Sequence, residues 1–139
     1  MFITHDHEKL ISRLQHYLII VEGKNDKKAL EAFNLNNIIT ISGKSIEKFI
    51  LELPKTSEYV VLTDFDREGE LKKKRIYRFF EMEKIKYNPE LRKEFKSTFR
   101  VAKIEELNKW GDIYGENSSI YNKILNRSKF HRRRCRGKT

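Results

Sequence analysis

The sequence has very little cysteine and no long apolar segment. Its 139 residues include one cysteine, Cys135, which excludes an internal disulfide and a zinc site built from several thiolates. No apolar run approaches the ~20 residues that a membrane-spanning helix needs. The first residues also lack the cationic and long apolar regions of a secretion signal. We therefore expect a cytoplasmic, single-domain protein with no membrane partner.

Acidic residues are absent from the C-terminal end of the chain. The whole sequence has 30 Lys and Arg against 20 Asp and Glu, a net charge of +10. Seven of the basic residues fall within 127–139, namely Arg127, Lys129, Arg132, Arg133, Arg134, Arg136 and Lys138. Because such a tail binds phosphates with release of counterions, we expect a nucleic-acid partner and salt-sensitive binding. A solubilising tail or a sorting patch is the alternative.

Apolar runs alternate with helical stripes along the first two thirds of the chain. The runs at 17–22, 37–41 and 58–63 are typical of strands that are covered on both faces. Apolar residues at helical spacing follow each run, and an earlier stripe predicts a helix over 6–15. This alternation predicts an α/β fold with a mostly parallel, four-stranded sheet flanked by helices, followed by a basic C-terminal tail.

The later elements are predicted from weaker patterns. Residues 98–103 alternate like a fourth strand near an edge, and residues 86–97 are interpreted as a loop with a short helical piece. We expect three parts: an N-terminal helical extension over 1–16, a main domain over 17–110, and a C-terminal helix with the basic tail over 111–139.

Acidic residues follow the first and third predicted strands. Glu22 ends the first strand, and Asp64 and Asp66 end the third. Because the carboxyl ends of parallel strands meet at one edge of a sheet, these three side chains should lie close together, with Glu68 at the start of the next helix nearby. Crowded carboxylates raise one another's pKa, and Mg²⁺ relieves this repulsion by taking their oxygens as ligands. The sequence therefore predicts a site for Mg²⁺, with Mn²⁺ as a substitute.

Basic and small residues lie beside these acids. Lys24 and Arg67 could neutralise phosphate or form salt bridges with a carboxylate, and we favour phosphate. Gly23 and Gly69 should permit tight turns and close approach of a phosphate or metal.

Two further motifs are assigned no chemistry. Residues 42–45, Ser-Gly-Lys-Ser, resemble the end of a phosphate-binding loop, but Ile38 stands where that loop needs a glycine. We therefore expect no nucleotide cofactor. The basic run 72–75 is typical of a solvated helix face, with guidance of a phosphate backbone as the alternative.

The two acidic motifs together resemble a known family. Val21-Glu22-Gly23-Lys24 and the run Thr63-Asp64-Phe65-Asp66-Arg67-Glu68-Gly69-Glu70 resemble the two signatures of the Toprim domain, over roughly residues 17–110. This domain occurs in type IA topoisomerases, bacterial primases, some nucleases and small stand-alone proteins. The resemblance implies about four parallel strands, Glu22 as a general acid or base, and Asp64 and Asp66 as Mg²⁺ ligands. Glu68 matches an acid that can join the metal site in topoisomerases.

The resemblance also bears on the reaction. Topoisomerases use a tyrosine on a separate domain, and primases use zinc-binding and polymerase regions, for which 139 residues leave no room. The small stand-alone members fit best by length. They imply metal-dependent work on RNA or DNA. We expect Mg²⁺-dependent phosphodiester cleavage or transfer, as in a ribonuclease, on RNA in preference to DNA, with ribonucleoprotein partners as an option. The alternative is a noncatalytic RNA-binding module whose acids bridge phosphate through metal.

Overall fold

The structure, a computed structural model, describes residues 3–108. The predicted C-terminal helix and basic tail lie outside these residues, together with Arg127, Lys129, Arg132, Arg133, Arg134 and Arg136. The division of the chain at residues 16 and 110 stays a prediction.

Four parallel strands form one sheet in the described part of the chain. They are β1 (Leu18–Val21), β2 (Ile38–Thr40), β3 (Glu58–Val61) and β4 (Lys86–Tyr87), in the spatial order β2-β1-β3-β4. β1 pairs with β2 and β3, and Ile20 of β1 lies opposite Val61 of β3. The prediction of an α/β fold with a four-stranded parallel sheet is confirmed.

Helices cover both faces of this sheet. They are α1 (His5–Leu14), α2 (Lys24–Glu31), α3 (Ile46–Leu51), α4 (Arg67–Glu83) and α5 (Pro89–Phe99), followed by a short 3₁₀ turn at Ile104–Leu107. Alternate β3 residues supply the two cores: Val60 faces α1, α2 and α5, whereas Tyr59 and Val61 face α3 and α4. In residues 3–108 no helix combines the length and apolar character needed to cross a membrane.

The first helix contributes to the larger core. Leu10, Ile11 and Leu14 are buried at helical spacing in the cluster that includes α5. Arg13 on the outer side of α1 donates to both carboxylate oxygens of Glu94 on α5, at 2.7 and 2.8 Å. The helix predicted over 6–15 is therefore present and packs on the sheet through α5 and its neighbours.

The predicted fourth strand over 98–103 is wrong. The short helical piece that was expected with a loop over 86–97 is an 11-residue helix, α5. β4 is only two residues long, and α5 continues to Phe99. α5 begins because the Asn88 side chain accepts the Leu91 N–H and Pro89 occupies the first helical position. The apparent strand period over 98–103 arises from burial of Phe99 at the helix end and of Val101 just beyond it.

Candidate metal centre

Glu22 lies one residue beyond β1, at the carboxyl edge of the sheet. Because Ile20 pairs with Val61, Glu22 is level with Thr63 at the end of β3. Its Oε2 accepts a hydrogen bond from the backbone N–H of Asp64 at 3.0 Å, and its Oε1 accepts one from Lys72 Nζ at 2.6 Å. One carboxylate therefore connects the ends of two neighbouring strands with α4.

Asp64 is held at the same edge by backbone groups. Its Oδ1 accepts the N–H of Ile104 at 2.9 Å. Burial raises the pKa of Asp64 above its ordinary value, and the negative charges of Glu22 and Asp66 raise it further, against the lowering effect of the Ile104 N–H. The structure thus brings Asp64 close enough to both Glu22 and Asp66 for their charges to act on it.

Asp66 is the N-cap residue of α4 and shapes the turn that contains the acids. Its Oδ1 accepts the N–H of Gly69 at 2.9 Å, which caps the helix. The Gly69 carbonyl in turn accepts a hydrogen bond from Thr63 Oγ1 at 2.8 Å. A Cβ on Gly69 would lie 1.9 Å from the carbonyl oxygen of Asp64, so this backbone approach requires glycine.

Lys72 lies near several acids of the site and forms a hydrogen bond with one of them, Glu22. The hydrogen bond to Glu22 raises the pKa of Lys72, and the charges of Glu22, Glu68 and Asp64 add to it against the opposing effect of burial. Its ammonium group therefore lies where the negative potential of the acids converges. A divalent cation held by the same acids stays a prediction.

The donor chemistry of the site fits Mg²⁺, but the ligands are not preassembled. Carboxylate oxygens are the ligands that Mg²⁺ prefers, and Asp64 Oδ2 and Asp66 Oδ2 accept no hydrogen bond from residues 3–108. Among the same residues, no group of three or more His, Cys, Asp or Glu side chains is arranged so that it could hold a metal ion. Because Lys72 pairs with Glu22, a metal ion held by Glu22 would compete with the Lys72 ammonium group.

The other predicted binding residues lie on the exposed rim. Lys24 begins α2, and Arg67 and Glu68 begin α4, all with exposed side chains. Within residues 3–108, neither Lys24 nor Arg67 forms an ion pair with a carboxylate. Gly23, which precedes α2, has an extended backbone with φ −149° and open space around its Cα.

Asp26 is a buried acid near the site that the motif analysis did not assign to it. Its Oδ2 accepts the N–H of Gly23 at 3.2 Å. Burial raises the pKa of Asp26 from 3.8 to about 6, and the charges of Asp64 and Glu22 contribute to this rise. The available signal was its position four residues after Glu22 in the first turn of α2, which the sequence analysis did not use.

Arg92 is a second residue that the sequence did not reveal. Its side chain is 4% exposed and donates to the carbonyl oxygens of Val61 (3.0 Å), Thr63 (2.8 Å) and Asp64 (3.0 Å), and to Glu70 Oε2 (3.0 Å). Burial opposes the shift, yet hydrogen bonds from Lys73 and Arg92 hold the pKa of Glu70 below its usual value. Arg92 therefore fixes the backbone that carries Asp64.

The domain is an open, parallel α/β sheet with acids after β1 and β3 at its carboxyl edge. In this class of domain, ligands bind outside the carboxyl ends of the strands. The Toprim domain family model matches residues 17–98. The chain belongs to the Toprim family, as the resemblance of its two acidic motifs implied.

Three known proteins are similar to this chain. A UPF0292 protein of Thermococcus onnurineus is 33% identical over 127 residues, covering 89% of this chain and 90% of the relative. The DNA primase DnaG of Methanocaldococcus jannaschii is 43% identical over 54 residues, which cover 39% of this chain and 13% of the primase. A solved structure of a putative protein from Aquifex aeolicus has a TM-score of 0.65 and 28% identity, covering 74% of this chain and 99% of the other.

Family membership carries a general functional meaning. The Toprim domain implies metal-dependent processing of nucleic acid, and Toprim domains generally bind Mg²⁺ through acidic residues. The similarity to the primase is limited to a small part of that protein. The particular reaction and the substrate must therefore be inferred from the residues of this chain.

Proposed function

We propose that this protein is a Mg²⁺-dependent enzyme that cleaves or transfers phosphodiester bonds in RNA. The observation that supports the proposal best is the hydrogen bond of 3.0 Å between Glu22 Oε2 and the Asp64 N–H. It places the acid/base candidate from β1 beside the aspartate motif from β3. Proton transfer and phosphate positioning can then occur at a single point on the sheet edge.

The residues of the site divide the work. Asp64, Asp66 and Glu22 would hold the metal, with Glu68 as an additional ligand. When bound, Mg²⁺ polarises the phosphoryl group and screens its negative charge. Glu22 would accept the proton of the attacking water while the new phosphorus–oxygen bond forms, and the leaving oxygen would take a proton from solvent water as its bond to phosphorus breaks. Lys24 and Arg67 are exposed cations that bind the flanking phosphates.

A noncatalytic RNA-binding module is the second candidate. The observation that favours it is the contact of 2.6 Å between Lys72 Nζ and Glu22 Oε1. A glutamate that stays paired with lysine does not accept a proton from water. In that case the acids serve to bridge RNA phosphates through a metal ion, and RNA is bound without being cut.

A cleavage assay separates these two functions. Structured RNA and single-stranded DNA are incubated with the full chain in Mg²⁺ or Mn²⁺, and the products are resolved on denaturing gels. We expect RNA cleavage that Glu22→Gln and Asp64→Asn abolish. Glu47→Gln is the matched control, because Glu47 is exposed on α3. RNA that stays intact while binding is retained identifies the noncatalytic module.

Metal binding provides a readout that does not depend on activity. Electron paramagnetic resonance of Mn²⁺ should show weaker binding by Asp64→Asn and Asp66→Asn. Lys72→Met removes the competing ammonium group, which is worth ~1 kcal/mol for a half-exposed pair, so Mn²⁺ affinity should rise about fivefold. Unchanged affinity in Lys72→Met would show that Lys72 does not compete with the metal.

A further inference from the structure

A basic groove runs beside the acidic site, between the end of β3 and α5. It comprises two adjoining cavities, of about 520 and about 220 Å³, which share Phe65, Lys93 and Lys96 as lining residues. The larger cavity continues past Arg100 to Ala102. We call the surface formed by Phe65, Lys93, Lys96 and Arg100 the α5 groove.

The cations of the α5 groove lie on one face of the chain. Lys93, Lys96 and Arg100 are spaced three and four residues apart, and all three side chains are exposed. Within residues 3–108, Lys96 and Arg100 form no ion pair with a carboxylate. Lys93 Nζ is 3.7 Å from Glu90, a largely exposed contact of little energetic value. The groove therefore has a surplus of positive charge.

The carboxylate that lines the same groove is already neutralised. Glu70 contacts Lys73 at 2.9 Å and the buried Arg92 at 3.0 Å. It does not offset the charge of the three exposed cations. An anion that enters the groove thus lies close to positive side chains and to the ring of Phe65. This ring is only 8% exposed and stacks on Phe95.

Hydrogen bonds connect the groove directly to the acidic site. Phe65 stands between Asp64 and Asp66 in the chain, and its N–H donates to the Ala102 carbonyl at 2.7 Å. Two residues later in the same segment, Ile104 N–H donates to Asp64 Oδ1 at 2.9 Å. The segment that lines the groove is therefore the one that holds a predicted metal ligand.

We propose that the α5 groove binds the phosphate backbone of an RNA strand and leads it to the acidic site. This proposal rests on the proposed function for the choice of RNA. Lys93 and Arg100 are separated by seven residues of helix and helix cap, or ~10 Å, which matches about three phosphates at the ~3.4 Å rise of a stacked strand. The three exposed cations supply positive charge that complements the phosphates. The hydrogen bond to Asp64 indicates that the strand would lead toward the acidic site.

The test compares two triple variants of the full chain. Lys93→Gln, Lys96→Gln and Arg100→Gln remove the groove cations, and Lys9→Gln, Lys28→Gln and Lys48→Gln remove three exposed lysines on other helices as a matched control. Binding of a fluorescein-labelled, single-stranded RNA dodecamer is measured by anisotropy at several salt concentrations in EDTA. Each phosphate contact contributes ~0.7 to the slope of log K against log salt for single strands, so the groove triple should lower it by about 2. Equal slopes for the two triples would overturn the proposal.

A measurement on the unmodified protein covers the case in which the groove triple does not fold. In ¹H–¹⁵N spectra, the same RNA should shift the amides of Ser97, Arg100 and Ala102. Shifts that spare these amides would assign the groove to another partner, such as an acidic protein, and would refute RNA binding there.

The outcome for the groove stays separate from the outcome for the enzyme. If the groove triple loses slope but RNA stays intact in Mg²⁺, the groove is retained and the catalytic proposal fails. If RNA is cleaved and the groove triple keeps its slope, the enzyme is retained and the groove proposal fails.

Discussion

Gly69→Ala should damage the site by a direct backbone collision. The new methyl carbon would lie 1.9 Å from the carbonyl oxygen of Asp64, 2.4 Å from its carbonyl carbon and 2.8 Å from its Cα. All three are backbone atoms, so no change of rotamer removes the overlap. Two hydrogen bonds also hold Gly69 in place: its N–H donates to Asp66 Oδ1, and its carbonyl oxygen accepts from the Thr63 hydroxyl.

The size of the effect follows from these contacts. Real Cβ atoms essentially never approach other atoms closer than 3.0 Å, so the backbones must part by 1.1 Å, the difference between 3.0 and 1.9 Å. Overpacking of this kind costs ~1–3 kcal/mol, and the two strained hydrogen bonds cost ~1 kcal/mol each. Alanine recovers ~1 kcal/mol through its helix propensity. We expect a net loss of ~3 kcal/mol, or a fall in Tm of ~10 °C.

Thermal unfolding by circular dichroism in EDTA measures this loss. Gly23→Ala is the matched control, because Gly23 also lies beside the acidic site but a Cβ there meets nothing within 4 Å. Its cost should stay within ~1 kcal/mol, the value of a changed helix N-cap. If Gly69→Ala melted no lower than Gly23→Ala, the close approach of α4 to Asp64 would not constrain the fold, and the reasoning would be refuted.

Three other changes test the pH dependence, the buried cation and the tail. Because burial raises the pKa of Asp26 to about 6, the folded protein keeps a proton that the unfolded chain releases between about pH 4 and 6. The free energy of unfolding should therefore fall by ~2–3 kcal/mol as pH rises through this window, and Asp26→Asn should flatten the fall in urea titrations in EDTA; parallel profiles would contradict this. Arg92→Met leaves the carbonyls at the end of β3 and the Glu70 carboxylate without their donor, so unfolding in urea should show a loss of ~3–5 kcal/mol; a loss no greater than that of an exposed Lys93→Met control would be evidence against the role of Arg92. Deletion of residues 127–139 removes seven cations, so the salt slope for RNA binding should fall by ~5 with an unchanged dichroism spectrum; an unaltered slope would remove the tail from RNA binding.

The central strands were predictable because buried strands have continuous runs of apolar residues in the sequence. β1 and β3 are apolar at nearly every position, as strands covered on both faces must be. β4 was missed because two residues, Lys86 and Tyr87, carry no periodicity at all. The start of α5 was available in Asn88 and Pro89, but its end was obscured because Arg100, rather than glycine, adopts the left-handed conformation with φ 55°.

Some residues of the site could likewise be predicted from local sequence patterns, whereas others depend on contacts between distant parts of the chain. Glu22, Asp64 and Asp66 could be proposed because strand ends converge in any parallel sheet. The Lys72–Glu22 pair joins residues 50 positions apart, and the Arg92 contacts depend on how α5 packs against β3. Such contacts follow from tertiary packing, and no pattern near Lys72 or Arg92 indicates them.

Both edges of the sheet are short. Within residues 3–108, the edge strands β2 and β4 contain three and two residues, and the first residue of β4 is an exposed lysine, Lys86. A foreign strand laid along either edge could form only a few backbone hydrogen bonds, which is too little to template aggregation or strand exchange. We therefore expect a protein that associates with the described surface of this domain to recognise side chains, loops or helices rather than to extend the sheet.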